Sequence, residues 1–340
     1  MSARHRARGL TLIELMIAMA IAVTIVAGAL NLYAHVSNTY RVNERIARLQ
    51  EQGRFAMSVI EPDVELAGDY GFTNVPDAVR LVKGAAAAIT IATAQQLRQF
   101  PVQVGGALPA AVAGLPPGAH VCGVNFAVDV MTPVQGSNDQ FVLGRDGTCK
   151  AYQSRPHLGS DTLTLRRVAT EPGKPEAGRI QVYASRFTSL TRQLMFADGH
   201  APGVIDANHR VHDVVVRSYY VAQDSVGQKD FPALRVKTLT RSGMNAVFAD
   251  DEVMPGIEDL QVQFGIGTHY VDPDSPDLPG AQVVAVRIWL RVRADEPEAA
   301  FDDTKIYRYA NITFTPTGAE RRYRRALMSR TVTLRNARSG

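Results

Sequence analysis

An apolar run of 23 residues, 10–32, interrupted by one charge at Glu14, constrains this chain more than any other feature. At ~1.5 Å rise per residue, a helix of that length reaches roughly 34 Å, enough to cross a bilayer core of ~30 Å. The nine residues before it carry Arg4, His5, Arg6 and Arg8 and no acid. The positive-inside rule keeps such a leader in the cytoplasm and sends the bulk of the chain across the membrane. Those three arginines also supply most of the formal charge of +4, and without them 34 basic residues face 33 acidic ones. A globally basic nucleic-acid binder is therefore not indicated. At 46% hydrophobic and 21% charged residues, the chain is neither disordered nor a multi-span membrane protein.

Two export routes start from a basic leader and an apolar run. An ordinary secretory signal would be cut after the small-residue triplet Ala27-Gly28-Ala29. The apolar run, however, continues past it through Leu30, Leu32, Tyr33 and Val36. A carboxylate inside the run also costs several kcal/mol if it is buried unpaired. The second route accounts for that carboxylate. The segment Gly9-Leu10-Thr11-Leu12-Ile13-Glu14-Leu15 resembles the type IV prepilin motif: a short basic leader, Gly, an apolar residue, and Glu at the fifth mature position. In that family a membrane-embedded aspartyl peptidase cuts after the Gly and N-methylates the new terminus. The resemblance places the cut between Gly9 and Leu10, with Leu10 standing where the family usually has Phe. A Gly before the cut suits a protease that grips extended backbone closely. Cleavage leaves a charged amine on Leu10 in an apolar setting, and Glu14 of one subunit would neutralise that amine on its neighbour as helices stack. The alternative is a Glu tolerated near the first helical turn by the helix dipole.

Beyond the span the pattern becomes amphipathic. Val42, Ile46, Leu49, Gly53, Ala56 and Ile60 recur at alternating spacings of four and three, with Arg41, Glu44, Arg45, Arg48, Glu51 and Arg54 between them. No Pro occurs between residues 10 and 61, so one helix of about 50 residues, ~75 Å long, is expected. Pro62 should kink or end it, and Ala67-Gly68 marks the exit. The stripe covers fewer than three heptads, which favours packing on the protein's own globular part over a coiled coil.

From residue 75 onward the signals are those of strands. Leu260, Val262, Phe264 and Ile266 alternate with Gln261, Gln263 and Gly265; Val284, Val286, Ile288, Leu290 and Val292 alternate with Ala285, Arg287, Trp289, Arg291 and Arg293. Further strands are expected at 162–169, 180–184, 193–197, 213–222, 234–241, 306–315 and 328–335, separated by turn signals such as Asp198-Gly199 and Pro279-Gly280. No βαβ rhythm runs through the chain, so the expected class is α+β. A long N-terminal helix, transmembrane in one half and amphipathic in the other, would pack on an antiparallel β-rich head. Three segments follow: a leader at 1–9, the helix at 10–67 with its transmembrane part at 10–32, and the head at 68–340. The Ala-, Gly- and Pro-rich stretch 105–118 reads as an irregular loop.

Signs of chemistry are few. Cys122 and Cys149 are the only cysteines and, in a translocated head, most simply form a disulfide. His-Glu-x-x-His, Gly-x-Ser-x-Gly and P-loop signatures are absent, and Tyr270 spoils the dinucleotide-like start Gly265-Ile266-Gly267. Asp272, Asp274 and Asp277 offer three carboxylates for Ca²⁺, but Pro273 and Pro276 between them favour a surface turn. The last 20 residues hold seven arginines and no acid. They read either as a phosphate-binding patch or, preferably, as an edge strand guarded by charge. No enzyme, metal or cofactor is expected.

Resemblance extends beyond the N-terminus. The segment running from Gly256 through Ile257, Glu258, Asp259 and Leu260 to Gly265 is similar to a segment of PilW-type minor pilins. Ser160-Asp161-Thr162-Leu163-Thr164-Leu165-Arg166 and the ending from Arg321 to Asn336 are similar to that family's middle segment and last strand. The resemblance implies a non-enzymatic minor pilin: a structural subunit that primes type IV pilus assembly from a small tip complex. It implies as partners other minor pilins, the major pilin, the prepilin peptidase, the assembly machinery and a tip adhesin, with nucleic acid unexpected. It also implies an inner-membrane location with a periplasmic head, and the pilus tip after assembly. Two other readings stay open at this point, a J-type pseudopilin of type II secretion and a membrane-anchored periplasmic binding protein or enzyme.

Overall fold

The structure, a computed structural model, describes residues 11–74, 79–83, 90–93, 121–122, 125–126, 129–144, 147–187, 193–243 and 245–337. Gly9, Leu10 and the stretch 105–118 lie outside the described residues. Helix α1 (Leu12–Glu65) is 54 residues long. It runs one turn past Pro62, whose missing N–H costs one bond near the end of the helix rather than in its middle. Leu66 N–H donates to the Pro62 carbonyl at 3.1 Å, and Gly68 leaves the helix with φ 81°, a value an L-residue adopts only under strain.

The chain divides into two compact units, Met1–Arg48 and Leu49–Gly340. The first consists, in its described part, of Thr11 and the first 37 residues of α1. Its stretch Leu12–Tyr33 is apolar and fully exposed, and is long and apolar enough to cross a membrane.

The second unit holds the rest of α1 and seventeen described strands. They are β1 (Val79–Lys83), β2 (Thr90–Thr93), β3 (Val121–Cys122), β4 (Asn125–Phe126), β5 (Val134–Ser137) and β6 (Thr162–Val168), then β7 (Ala177–Ser185), β8 (Gln193–Asp198), β9 (His209–Ala222), β10 (Ala233–Ser242) and β11 (Asn245–Pro255), and finally β12 (Ile257–Ile266), β13 (His269–Val271), β14 (Val283–Arg293), β15 (Tyr307–Tyr309), β16 (Ile312–Phe314) and β17 (Arg325–Thr333). The large sheet is built around β9, which pairs antiparallel with β6, β7 and β10. A second sheet has the order β13-β12-β14-β17 and is antiparallel throughout. One pair, β1 with β8, is parallel, an exception to the expected antiparallel head.

Period-two alternation along β9 feeds two cores. Val214, Val216, Tyr220 and Ala222 enter one with Cys122, Cys149 and Phe248, while Tyr219 and Val221 enter the other. That second core joins both sheets to α1 through Leu49, Ala56, Ile60 and Val64. The expected strand at 306–315 is instead the hairpin β15–β16, because Ala310 takes φ 47° in a two-residue turn between Tyr309 and Ile312. Strand β11 escaped the sequence reading: its run Asp250-Asp251-Glu252 hides the alternation, and Asp250 and Glu252 pair with Arg235 of β10.

Candidate functional site

At its start, α1 closes on itself. Thr11 donates both its N–H and its hydroxyl to Glu14 Oε2 at 3.0 Å, and the Glu14 N–H reaches back to Thr11 Oγ1 at 3.4 Å. This is a capping box, in which a Thr and a Glu three residues on satisfy each other's orphan groups. The Thr-x-x-Glu spacing was legible in the sequence and was not read there. Within the apolar stretch, the Thr24 hydroxyl turns back onto the Ile21 carbonyl at 2.8 Å, so that donor is satisfied without water. The cap engages one carboxylate oxygen, Oε2, and no hydrogen bond reaches Oε1 among the described residues. Glu14 thus starts the helix as a satisfied anion with one oxygen available to a second donor.

At the other end α1 is fixed in the head. Leu49, Ala56 and Ile60 are buried, as the stripe required. Gly53 lies against Met328 and Val292, and an added Cβ there would come within 3.1 Å of Val292 Cγ2. The four-and-three alternation continues past Ile60 to position 63, and the residue there is Asp63, only 2% exposed. Arg167 of β6 and Arg217 of β9 each reach its carboxylate at 2.9 Å, and the Tyr219 hydroxyl donates at 2.6 Å. Burial pushes the Tyr219 hydroxyl above its usual range, and the Asp63 charge adds to the shift, so it stays a donor. Three donors around a buried acid make this the polar fastening of helix to sheet. An acid on an apolar stripe was the sequence signal for it, and it passed unread.

The C-terminal arginines close the same junction. Arg330 pairs with Glu61 at 2.8 Å and Arg335 with Glu65 at 2.5 Å, while the Arg335 N–H donates to the Glu65 carbonyl at 2.9 Å. Arg321, Arg324 and Arg325 bind Asp302, Glu298 and Glu258. Five of the seven arginines therefore face carboxylates, and β17 lies at the edge of its sheet. That arrangement fits the guarded-edge reading and leaves little free charge for phosphate.

Two separate sequence patches meet at the seam between the sheets. The Ser160 hydroxyl donates to the Leu260 carbonyl at 3.2 Å. Asp161 accepts the Val262 N–H on one oxygen and the Asp139 N–H on the other, both at 2.8 Å. Burial, with the Asp139 and Asp259 charges adding to it, pushes the Asp161 carboxyl up to about 8. On β12, Glu258 binds Arg291 and Arg325 at 2.9 and 2.7 Å, and Asp259 accepts from the Tyr309 hydroxyl at 2.6 Å. The patch beginning at Gly256 is thus a stitch between layers. Gly256 itself, at φ 81°, would place a Cβ 3.0 Å from the Arg293 carbonyl.

Cys122 and Cys149 form a disulfide with Cα atoms 5.3 Å apart, inside the core that excludes α1. Asp272, Asp274 and Asp277 assemble no cation site. Asp272 accepts from Gln263 at 2.9 Å, Asp274 accepts from Asn138 at 3.1 Å, and no metal-binding group of His, Cys, Asp or Glu occurs among the described residues.

Residues 218–336 match the family Type IV Pilus-assembly protein W, and residues 4–30 match the prokaryotic N-terminal methylation motif. The first of these matches covers about a third of the chain, the part that holds β12 of the stitch and the edge strand β17. No curated protein matches it. A type IV-like pilin from Thermus thermophilus is 16% identical over 54% of this chain and 83% of that one, with a TM-score of 0.29.

Proposed function

We propose that this pilin-like protein, a PilW-type minor pilin with a membrane-anchoring helix and a soluble head, is a subunit of the complex that primes type IV pilus assembly and remains at the tip. One observation carries the reading: a prepilin-type start and a PilW-type head occur on one chain, joined by a single continuous helix. The work is mechanical. The leader 1–9 would hold the precursor in the inner membrane with its head in the periplasm. Prepilin peptidase would cut between Gly9 and Leu10, and the assembly motor would then move the helix from lipid into a bundle of other minor pilins and the major pilin. Glu14 enters that bundle with its cap intact and Oε1 turned to a neighbour's terminal amine. An unpaired charge in such surroundings costs several kcal/mol, so the contact selects filament over lipid.

Processing tests this directly. Intact mass of protein from membranes is expected to show a chain starting at Leu10 with one added methyl group. Gly9→Val should abolish the cut, leaving full-length precursor in the membrane and none in sheared pili. A wild-type chain starting at Met1 or Leu30 would overturn the assignment.

A further inference from the structure

Strand β14 sorts its residues between two faces. Val286, Ile288, Leu290 and Val292 are buried in the core shared with α1. Arg287, Trp289, Arg291 and Arg293 occupy the opposite face. Arg291 and Arg293 are both neutralised there, Arg291 by Glu258 at 2.9 Å and Asp259 at 3.5 Å, Arg293 by Glu258 at 3.8 Å. Arg287 pairs with no carboxylate among the described residues, yet it is held in place. Its guanidinium lies 3.8 Å over the Tyr270 ring and 5.8 Å from the Trp289 ring centre, and its Nε donates to Thr331 Oγ1 at 3.3 Å. Strand register sets Gln263 and Thr331 on either side of Arg287, and Gln261 and Ser329 on either side of Trp289. Ser329 and Thr331 are exposed, while Arg287 and Trp289 are half-buried.

We propose that this outer face of the four-stranded sheet binds a terminal acidic sugar of a glycan, its ring stacked on Trp289 and its carboxylate held by Arg287. A fixed guanidinium without a counter-charge selects an anion, and its planar fork suits a carboxylate. The indole offers a flat apolar surface to the C–H face of a pyranose. The Gln263 amide and the Ser329 and Thr331 hydroxyls surround it with groups that bond sugar hydroxyls in either direction. Charge complementarity favours one negative group over a polyanion. Gln263 also holds Asp272 at 2.9 Å, so that carboxylate, with Asp274 and Asp277 following it, repels a chain of phosphates or uronates from this side.

Trp289 is the one tryptophan of the chain, so tryptophan fluorescence, excited selectively over the tyrosines, reports this face alone. The full-length protein in detergent micelles would be titrated with D-galacturonate and with D-galactose, which differ only in carboxylate against hydroxymethyl at C6. The expected result is a saturable change with galacturonate, and binding of galactose weaker by about tenfold. Arg287→Gln should erase the difference while leaving the circular dichroism spectrum and unfolding midpoint unchanged. No saturable change up to tens of millimolar, or equal responses to both sugars, would reduce the Tyr270–Arg287–Trp289 arrangement to a stack that only braces the sheet. Tighter binding of oligothymidylate or polygalacturonate than of the monomer would also overturn the proposal, since it would make the face a polyanion site.

Discussion

The two stretches of α1 on either side of Arg48 solve opposite problems with the same backbone. From Leu12 to Tyr33 the helix is apolar on every side and wholly exposed, while from Leu49 to Glu65 it buries one stripe against two sheets of its own chain. Its two carboxylates differ in the same way. Glu14 is held only by its own first turn, whereas Asp63 is held by two arginines and a tyrosine from strands β6 and β9, more than 100 residues away in sequence. A helix that is apolar all round belongs in a membrane or a bundle, and a striped one belongs on a surface. The first stretch therefore awaits a partner from outside the chain, and the second already has its partner within it.

The strongest way to break that contrast is at Asp63. Asp63→Ala strands two guanidiniums and a phenol in a largely dry junction and should destabilise the head by about 3–5 kcal/mol. For a unit of this size that lowers the thermal midpoint by roughly 10 °C, readable by differential scanning calorimetry of the full chain. Asp63→Asn keeps the shape and part of the hydrogen bonding, and should lose less. A midpoint unchanged in Asp63→Ala would mean that packing of Leu49, Ala56 and Ile60 fixes the helix alone.

A somewhat smaller effect is expected from the disulfide, which belongs to the core that α1 does not enter. Replacing Cys122 and Cys149 by Ser opens a loop of 27 residues and should cost about 3–4 kcal/mol on the chain-entropy account. The cost should add to that of Asp63→Ala, because the two sites share no partner. If the combined variant loses less than the sum of the two costs, the two sites are energetically coupled and the helix is less separately fastened than the geometry suggests.

Legibility in the sequence followed local periodicity. The apolar run, the amphipathic stripe and the alternation of β12 and β14 each repeat over at least seven residues, so one pattern outweighed the noise. What escaped were places where one residue acts at long range. Asp63 continued the stripe's spacing but was passed over because it is charged, and its arginines lie on strands far along the chain. The stitch between residues 160–166 and 256–265 was seen as two similarities, since nothing local says that Asp161 accepts the Val262 N–H. Ala310 hid a hairpin because Ala rarely turns with positive φ. The capping box at Thr11 was missed because Glu14 already had another explanation.

Those two explanations of Glu14 are compatible, and their separation is the smallest effect on the head and the sharpest test of the contrast. Glu14→Leu removes the cap, worth about 1 kcal/mol to the first helical turn. None of that should reach the head, where no hydrogen bond or ion pair involves Glu14 among the described residues, so the calorimetric midpoint should match wild type. Insertion should hold or improve, since a carboxylate at mid-helix costs about 2–3 kcal/mol on insertion scales and one near the end costs less. Recovery in sheared pili should nonetheless fall, because a neighbour's terminal ammonium would enter the bundle without its counter-charge. Thr11→Ala distinguishes cap from counter-charge. It breaks the box but keeps the carboxylate, so it should lower recovery far less than Glu14→Leu. If both variants lower recovery equally, Glu14 works by starting the helix. If neither does, the apolar half of α1 needs no partner beyond lipid, and the contrast between its two stretches is one of solvent alone.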